Sequence, residues 1–214
     1  MDNRLDPEAF EKIYKGHEFE RIRSPKAKDA SLLIPLVETE NGETAVLFEI
    51  RSRNIRQGGE VCFPGGRVDK GEAPSDTAVR EVTEELSIKK EQIKLICPMF
   101  TMNGVGDAFI YVYLGRLLDY TGSFSKSEVG SVFTLTISEL LAMEPKVNSA
   151  SYVIDLPEDF HFELIPGGRD YVWRNRPKNY YFYETPYGVI WGMTGELLYN
   201  FIENVRRVTE CHPR

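Results

Sequence analysis

The sequence predicts an α/β fold, an α/β/α sandwich on a mixed sheet, and three observations carry that prediction. Five apolar or β-rich runs, at residues 31–37, 44–50, 93–99, 108–114 and 131–136, are separated by turn signals such as Asn41-Gly42. Between the second and third run lies a helical pattern with Ala78, Val79, Val82 and Leu86 on one apolar face. A second helix pattern, residues 195–208, spaces Leu197, Leu198, Phe201, Ile202 and Val205 at helical intervals behind Thr194 as N-cap. Two amphipathic helices and one sheet bury their apolar faces most simply with a helix on each side.

In chain order, residues 7–14 read as a short amphipathic helix, and residues 1–30 together as a helical lead-in before a single domain at 31–210. Pro74 and Ser75 mark the start of the first main helix, with Ser75 as its N-cap. Gly104-Val105-Gly106 begins a dinucleotide-like pattern, but Phe109 stands where a third glycine belongs, so the segment reads as a loop before a strand. Residues 138–143 predict a short helix. Residues 144–190 hold strand-like pieces rich in aromatics, among them Tyr180, Tyr181, Phe182 and Tyr183, with Arg174, Arg176 and Lys178 interleaved. That arrangement suits either stacking on a base and pairing with a phosphate, or a surface hairpin.

Composition narrows the partners. The chain has 214 residues, 42% of them hydrophobic, enough for one packed core. A net charge of −7 argues against general nucleic-acid or acidic-membrane binding, so a polyanionic ligand must be met by local cations. Cys62, Cys97 and Cys211 are far apart, with no Cys-x-x-Cys pair, and predict neither a disulfide framework nor a zinc site; a reducing cytoplasm fits. His17, His161 and His212 form no metal motif, and no Gly-x-Ser-x-Gly or Walker loop is present. The first twenty residues are charged and read as no secretory signal, and no apolar run reaches membrane-spanning length.

The most informative stretch runs from Gly65-Gly66 through Glu72 to Arg80-Glu81-Val82-Thr83-Glu84-Glu85. At about 100° per residue, Glu81 and Glu85 lie about 40° apart and Glu84 about 60° to the other side, so three carboxylates share one stripe. Their mutual repulsion weakens an isolated helix, and a divalent cation relieves it. All-oxygen ligation selects hard ions such as Mg2+ or Mn2+, which commonly bridge protein to substrate phosphates. Glu72 and Arg80 are placed to pair and tie the helix to the loop before it. Arg51 and Arg53, two apart on a strand, and Arg56 and Arg67, flanking the glycine turn, are the phosphate-binding candidates. Gly65 and Gly66 allow close approach of a ligand to the backbone.

These residues resemble the Nudix box, Gly-x5-Glu-x7-Arg-Glu-apolar-x-Glu-Glu-x-Gly-apolar, with Ser87 in place of the last glycine. A left-handed helix exit at Ser87 would cost about 1 kcal/mol. The resemblance implies metal ligation by Glu81, Glu84 and Glu85 with the Gly66 carbonyl, Arg80 as a supporting residue, and a water-activating base drawn from Glu84 or Glu128. Upstream, Arg51-Ser52, Gly59 and Phe63-Pro64-Gly65-Gly66 resemble the coenzyme A pyrophosphatase branch, although Glu49 replaces a threonine and Gln57 a histidine. Downstream, Ser127-Glu128-Val129, Val132-Phe133 and Trp191-Gly192-Met193-Thr194-Gly195 resemble the same branch. The implied reaction is Mg-dependent cleavage of coenzyme A, free, oxidised or acylated, to 3′,5′-ADP and 4′-phosphopantetheine, by a protein that forms a homodimer. The alternatives are a Nudix pyrophosphatase for ADP-ribose or another nucleoside diphosphate derivative, and a catalytically idle nucleotide-binding module.

Overall fold

Alternation along the first two strands assigns each side chain to one of two cores. Strand β1 (Ala30–Glu38) sends Leu32 and Ile34 to one face and Leu33 to the other; β2 (Thr44–Arg51) sends Val46 and Phe48 one way, Ala45 and Leu47 the other. The structure, a computed structural model, describes residues 11, 15–16, 24, 26–104, 107–174 and 176–211. Helix α1 (Pro74–Glu85) closes the Leu33–Leu47 face with Val82 and, just past its end, Leu86. On the opposite face, α2 (Ile137–Ala142) contributes Leu140, and α3 (Gly192–Cys211) contributes Leu197, Leu198, Phe201 and Ile202. The α/β/α sandwich expected from the sequence is thus the fold observed.

The main sheet also contains β3 (Val61–Cys62), β4 (Gly65–Arg67), β5 (Ile93–Asn103), β6 (Phe109–Leu117) and β7 (Val129–Thr136). Strands β1 and β6 run parallel and the other pairs antiparallel, so the sheet is mixed. Its most consequential feature is a splay. Residues 36–38 of β1 pair with residues 44–46 of β2, after which β4 takes over the edge of β1 and β3 that of β2. The link Phe63-Pro64 fills the gap, and the Leu33 N–H donates to the Pro64 carbonyl at 3.0 Å.

A second sheet is made by β8 (Lys146–Tyr152), β9 (Arg176–Thr185) and β10 (Gly188–Ile190). Its base lies close to the splay, because β10 packs against β3 and Tyr187 stacks on Phe133 with centroids 4.5 Å apart. No helix among the described residues is long and apolar enough to cross a membrane.

Several boundaries differ from expectation. Helix α1 begins at Pro74 with Ala73 as its N-cap residue, not Ser75, since proline's fixed φ suits the first helical position. Helix α3 begins at Gly192, so Thr194 lies buried inside it rather than capping it. Strand β2 ends at Arg51 and residues 53–59 form turns and bends, so Arg53 does not share a strand face with Arg51. Gly104 closes the turn between β5 and β6 by donating its N–H to the Ala108 carbonyl, whereas Val105 and Gly106 lie outside the described residues. The helix expected at 7–14 falls largely outside them too.

Candidate active site

Helix α1 is locked to the loop before it by one guanidinium. Arg80 reaches Glu72 with Nε at 3.0 Å and Nη2 at 3.1 Å, Glu81 with Nη1 at 2.7 Å, and the Arg67 carbonyl with Nη2 at 3.2 Å. Glu72 also accepts from the Thr77 hydroxyl at 2.7 Å. Hydrogen bonding by Arg80, then by Thr77, holds the Glu72 carboxyl down at about 2. Such a two-pronged pair fixes orientation as well as charge, which a lysine in place of Arg80 would not do.

The carboxylate stripe divides into three environments. Glu85 is 5% exposed and accepts a hydrogen bond from the Gly65 N–H at 2.8 Å. Burial raises its pKa to about 8 against that hydrogen bond, with the charges of Glu81 and Glu128 adding to the rise. Glu81 is half-buried and also raised, by burial first, while Arg80 opposes the shift. Glu84 is 57% exposed and meets Arg80 only at 3.5 Å. Gly65 is sterically required, since its φ is 149° and a Cβ there would strike the Ser31 carbonyl, whereas a Cβ on Gly66 would displace the Glu81 carboxyl.

A surface turn completes the neighbourhood. The Ser123 hydroxyl donates to the Leu86 carbonyl at 2.8 Å and the Ser125 N–H to the Glu85 carbonyl at 2.7 Å, pinning this segment to the end of α1. The Ser52 N–H then donates to the Glu128 carbonyl at 2.8 Å. Glu128 is exposed, yet its charge acts on Glu49, Glu81 and Glu85. Among the arginines, Arg51 is half-buried, its charge acts on Glu85, and its Nε donates to the Arg56 carbonyl at 3.3 Å. Arg53, Arg56 and Arg67 are exposed around the same loops.

Two residues escaped the sequence reading as site members. Glu49 follows Ala45 and Leu47 on the α1-facing side of β2, is buried, and has its pKa pushed well up by burial and by Glu85. A lone acid at an inward position of an alternating strand is the signal that marks it. Its register partner Cys62 carries a thiol raised to about 12 by burial, then by Glu49 and Glu85, and stays a protonated, inert thiol.

The NUDIX domain family matches residues 28–156, which include the splay, α1 and the pinned turn. The chain belongs to that family. Among its relatives, Nudix hydrolase 3 of Caenorhabditis elegans is 34% identical over 178 residues, 79% of this chain and 70% of that one. The peroxisomal coenzyme A diphosphatase ndx-8 of C. elegans is 38% identical over 152 residues, 67% of this chain and 64% of its own. The ADP-ribose pyrophosphatase of Bacillus subtilis is 26% identical over 111 residues, 50% of this chain and 59% of its own.

Nudix hydrolases generally use divalent metals such as Mg2+. Among the described residues of this Nudix chain, no three acidic, histidine or cysteine side chains are gathered closely enough to hold a metal as they stand. Arg80 engages Glu81, and Glu84 turns to solvent. The donor chemistry nonetheless fits a hard cation: the groups are oxygens, a glycine leaves its backbone open against Glu81, and the buried Glu49 Oε1 lacks a hydrogen-bond partner.

Proposed function

We propose that this Nudix protein hydrolyses the diphosphate of coenzyme A or its derivatives, giving 3′,5′-ADP and 4′-phosphopantetheine or its acyl form. The observation that carries the hydrolytic reading is Glu85, buried against the Gly65 N–H beside Glu81 and Gly66. The substrate reading is supported by Arg51-Ser52 leading to Phe63-Pro64-Gly65-Gly66 and by the similarity to ndx-8.

Glu81, Glu84, Glu85 and the Gly66 carbonyl would hold Mg2+ or Mn2+, which when bound would offset the charge of the diphosphate and lower the pKa of water. Arg80 keeps Glu81 oriented and Glu72 clamps Arg80. Arg51, assisted by Arg53, Arg56 and Arg67, binds the phosphate oxygens. Water adds across the P–O–P bridge, so that one phosphorus gains the oxygen and the other phosphate departs. Glu84 and Glu128, both exposed, are the two candidates to take the proton from that water.

Mass spectrometry of products formed from coenzyme A, ADP-ribose and a nucleoside triphosphate with Mg2+ tests the reading. Phosphopantetheine and 3′,5′-ADP are expected. Preferential cleavage of ADP-ribose would replace the substrate class, in line with the similarity to the B. subtilis enzyme. Absence of turnover, with retained nucleotide binding, would make the protein a binding module.

A further inference from the structure

A carboxyl buried without a partner either gives up its charge or meets a cation, so an unpaired acid in a core marks a place where a cation can be held. Glu49 is 1% exposed, and its Oε1 meets no hydrogen-bond partner. None of the ion pairs among the described residues includes it. The Oε2 of Glu196 is buried on different terms: it too lacks hydrogen-bond geometry, but Lys178 Nζ lies 2.9 Å away and answers its charge.

Around Glu49 the balance is negative. Glu85 exerts the strongest charge on it, and Glu128 repels it too. Arg51 attracts it from two residues along the strand, while directing its Nε to the Arg56 carbonyl. The direction of the side chain is set by β2: Ala45 and Leu47 pack with Val82 and Leu86 on the α1 side, and Glu49 follows them in the same alternation. It therefore enters from the sheet the region that Glu85 enters from the helix.

We propose that Glu49 is a further ligand of the divalent-cation centre, supplying a carboxylate oxygen from β2 opposite those that Glu81 and Glu85 supply from α1. The proposal rests on the metal-dependent reading given above. It explains why the fold keeps an acid in a layer otherwise formed by Ala45 and Leu47: the cation supplies the opposite charge that the protein leaves out. In oxygen-ligand chemistry, each added carboxylate raises affinity for a hard cation.

The test is Mn2+ binding to the full-length chain without substrate, followed by electron paramagnetic resonance, for the wild type, Glu49→Gln, Glu49→Ala and Glu85→Gln. Thermal unfolding with and without Mn2+ is measured alongside. We expect both Glu49 variants to lose about tenfold or more in Mn2+ affinity. Their metal-free melting temperatures should match or exceed that of the wild type, because an unpaired buried acid has been removed, and their rise in melting temperature on adding Mn2+ should shrink. Wild-type affinity in both variants, with affinity lost in Glu85→Gln, would overturn the role of Glu49 and leave the metal-dependent reading standing. A lowered metal-free stability in both variants would make Glu49 a structural acid and also overturn the proposal. Absence of Mn2+ binding by the wild type would overturn both readings together.

Discussion

The α1 face of the main sheet and the β8–β10 extension treat charge in opposite ways. Around α1, Glu49, Glu81 and Glu85 are taken largely out of water, and all three are raised by their surroundings. In the extension, opposite charges meet: Lys146 and Glu184 pair at 2.7 Å with their side chains 70% and 66% exposed, and Lys178 meets Glu196 at 2.9 Å. Its aromatics satisfy one another, Trp173 meeting Phe160 and Tyr171 edge-on. Surface pairs of that kind contribute little to stability, whereas buried like charges store free energy that a bound cation releases. The NUDIX family match ends at residue 156, before β9. Like charges are thus crowded on the α1 face, inside the matched segment, and not in the extension.

Replacing Glu85 by Gln should break the comparison most strongly. If this carboxylate holds the cation, losing several kcal/mol of transition-state stabilisation lowers kcat about a thousandfold. The metal-free protein should be no less stable, since the change removes a charge that burial opposes. Near-normal kcat with bound Mg2+ would remove Glu85 from the machinery. Chelation of divalent cations should reproduce the loss in the wild type.

Arg80 and Glu72 come next. Arg80→Lys keeps the charge but loses the fork, and an orienting partner of a ligand typically contributes a factor of about 10–100. A KM change with unchanged kcat would place Arg80 in binding instead. Glu72 adds a pH signature. Its folded-state pKa of about 2 lies below the ordinary value of 4.5, so ionisation is favoured in the native state. The resulting stabilisation is present above the ordinary value and disappears as pH falls toward the folded one. Urea unfolding should show a gap between wild type and Glu72→Gln near neutral pH that narrows by about pH 3. A gap independent of pH would trace the effect to packing.

The extension offers the opposite outcome. Arg174 is exposed beside the Trp173 cluster, and its replacement by Ala should raise KM for coenzyme A about fivefold, an exposed charge contact being worth about 1 kcal/mol, with kcat unchanged. Coenzyme A lacking its 3′-phosphate should show no such difference. An equal fall in kcat for both substrates would erase the distinction between the two regions.

Most of the sandwich was legible because its strands and helices carry clear periods. Ala78, Val79, Val82 and Leu86 all proved buried, and Glu72 does meet Arg80. What was hidden follows from the splay. Strands of two and three residues, β3 and β4, are too short to show alternation, and they read as a glycine turn. A helical wheel places Glu81, Glu84 and Glu85 on one stripe, but only the position of β4 decides that Glu85 is buried and Glu84 is wet. Glu49 looked like a simple replacement because its meaning depends on Glu85, thirty-six positions away. Arg53 was misplaced because β2 stops at Arg51, where the bulge in its pairing with β7 bends the strand off.

The smallest effect concerns strain without charge. Ser87 holds φ at 52°, and the Ile88 N–H reaches back to the Thr83 carbonyl at 3.2 Å, closing α1 through a left-handed residue. A side chain in that conformation costs about 1 kcal/mol, part of which glycine returns through the entropy of the unfolded chain. Ser87→Gly should therefore raise the melting temperature by about 2–4 °C for a chain of this size. Ser87 is exposed and offers no group to Glu81 or Glu85, so kcat and Mn2+ affinity should stay at wild-type values. A gain in stability with the chemistry untouched separates backbone strain at the end of α1 from electrostatic stress along it. A variant that melts no higher would show that the serine turn carries no strain, and a variant that loses metal affinity would show that the turn sets the aim of Glu85.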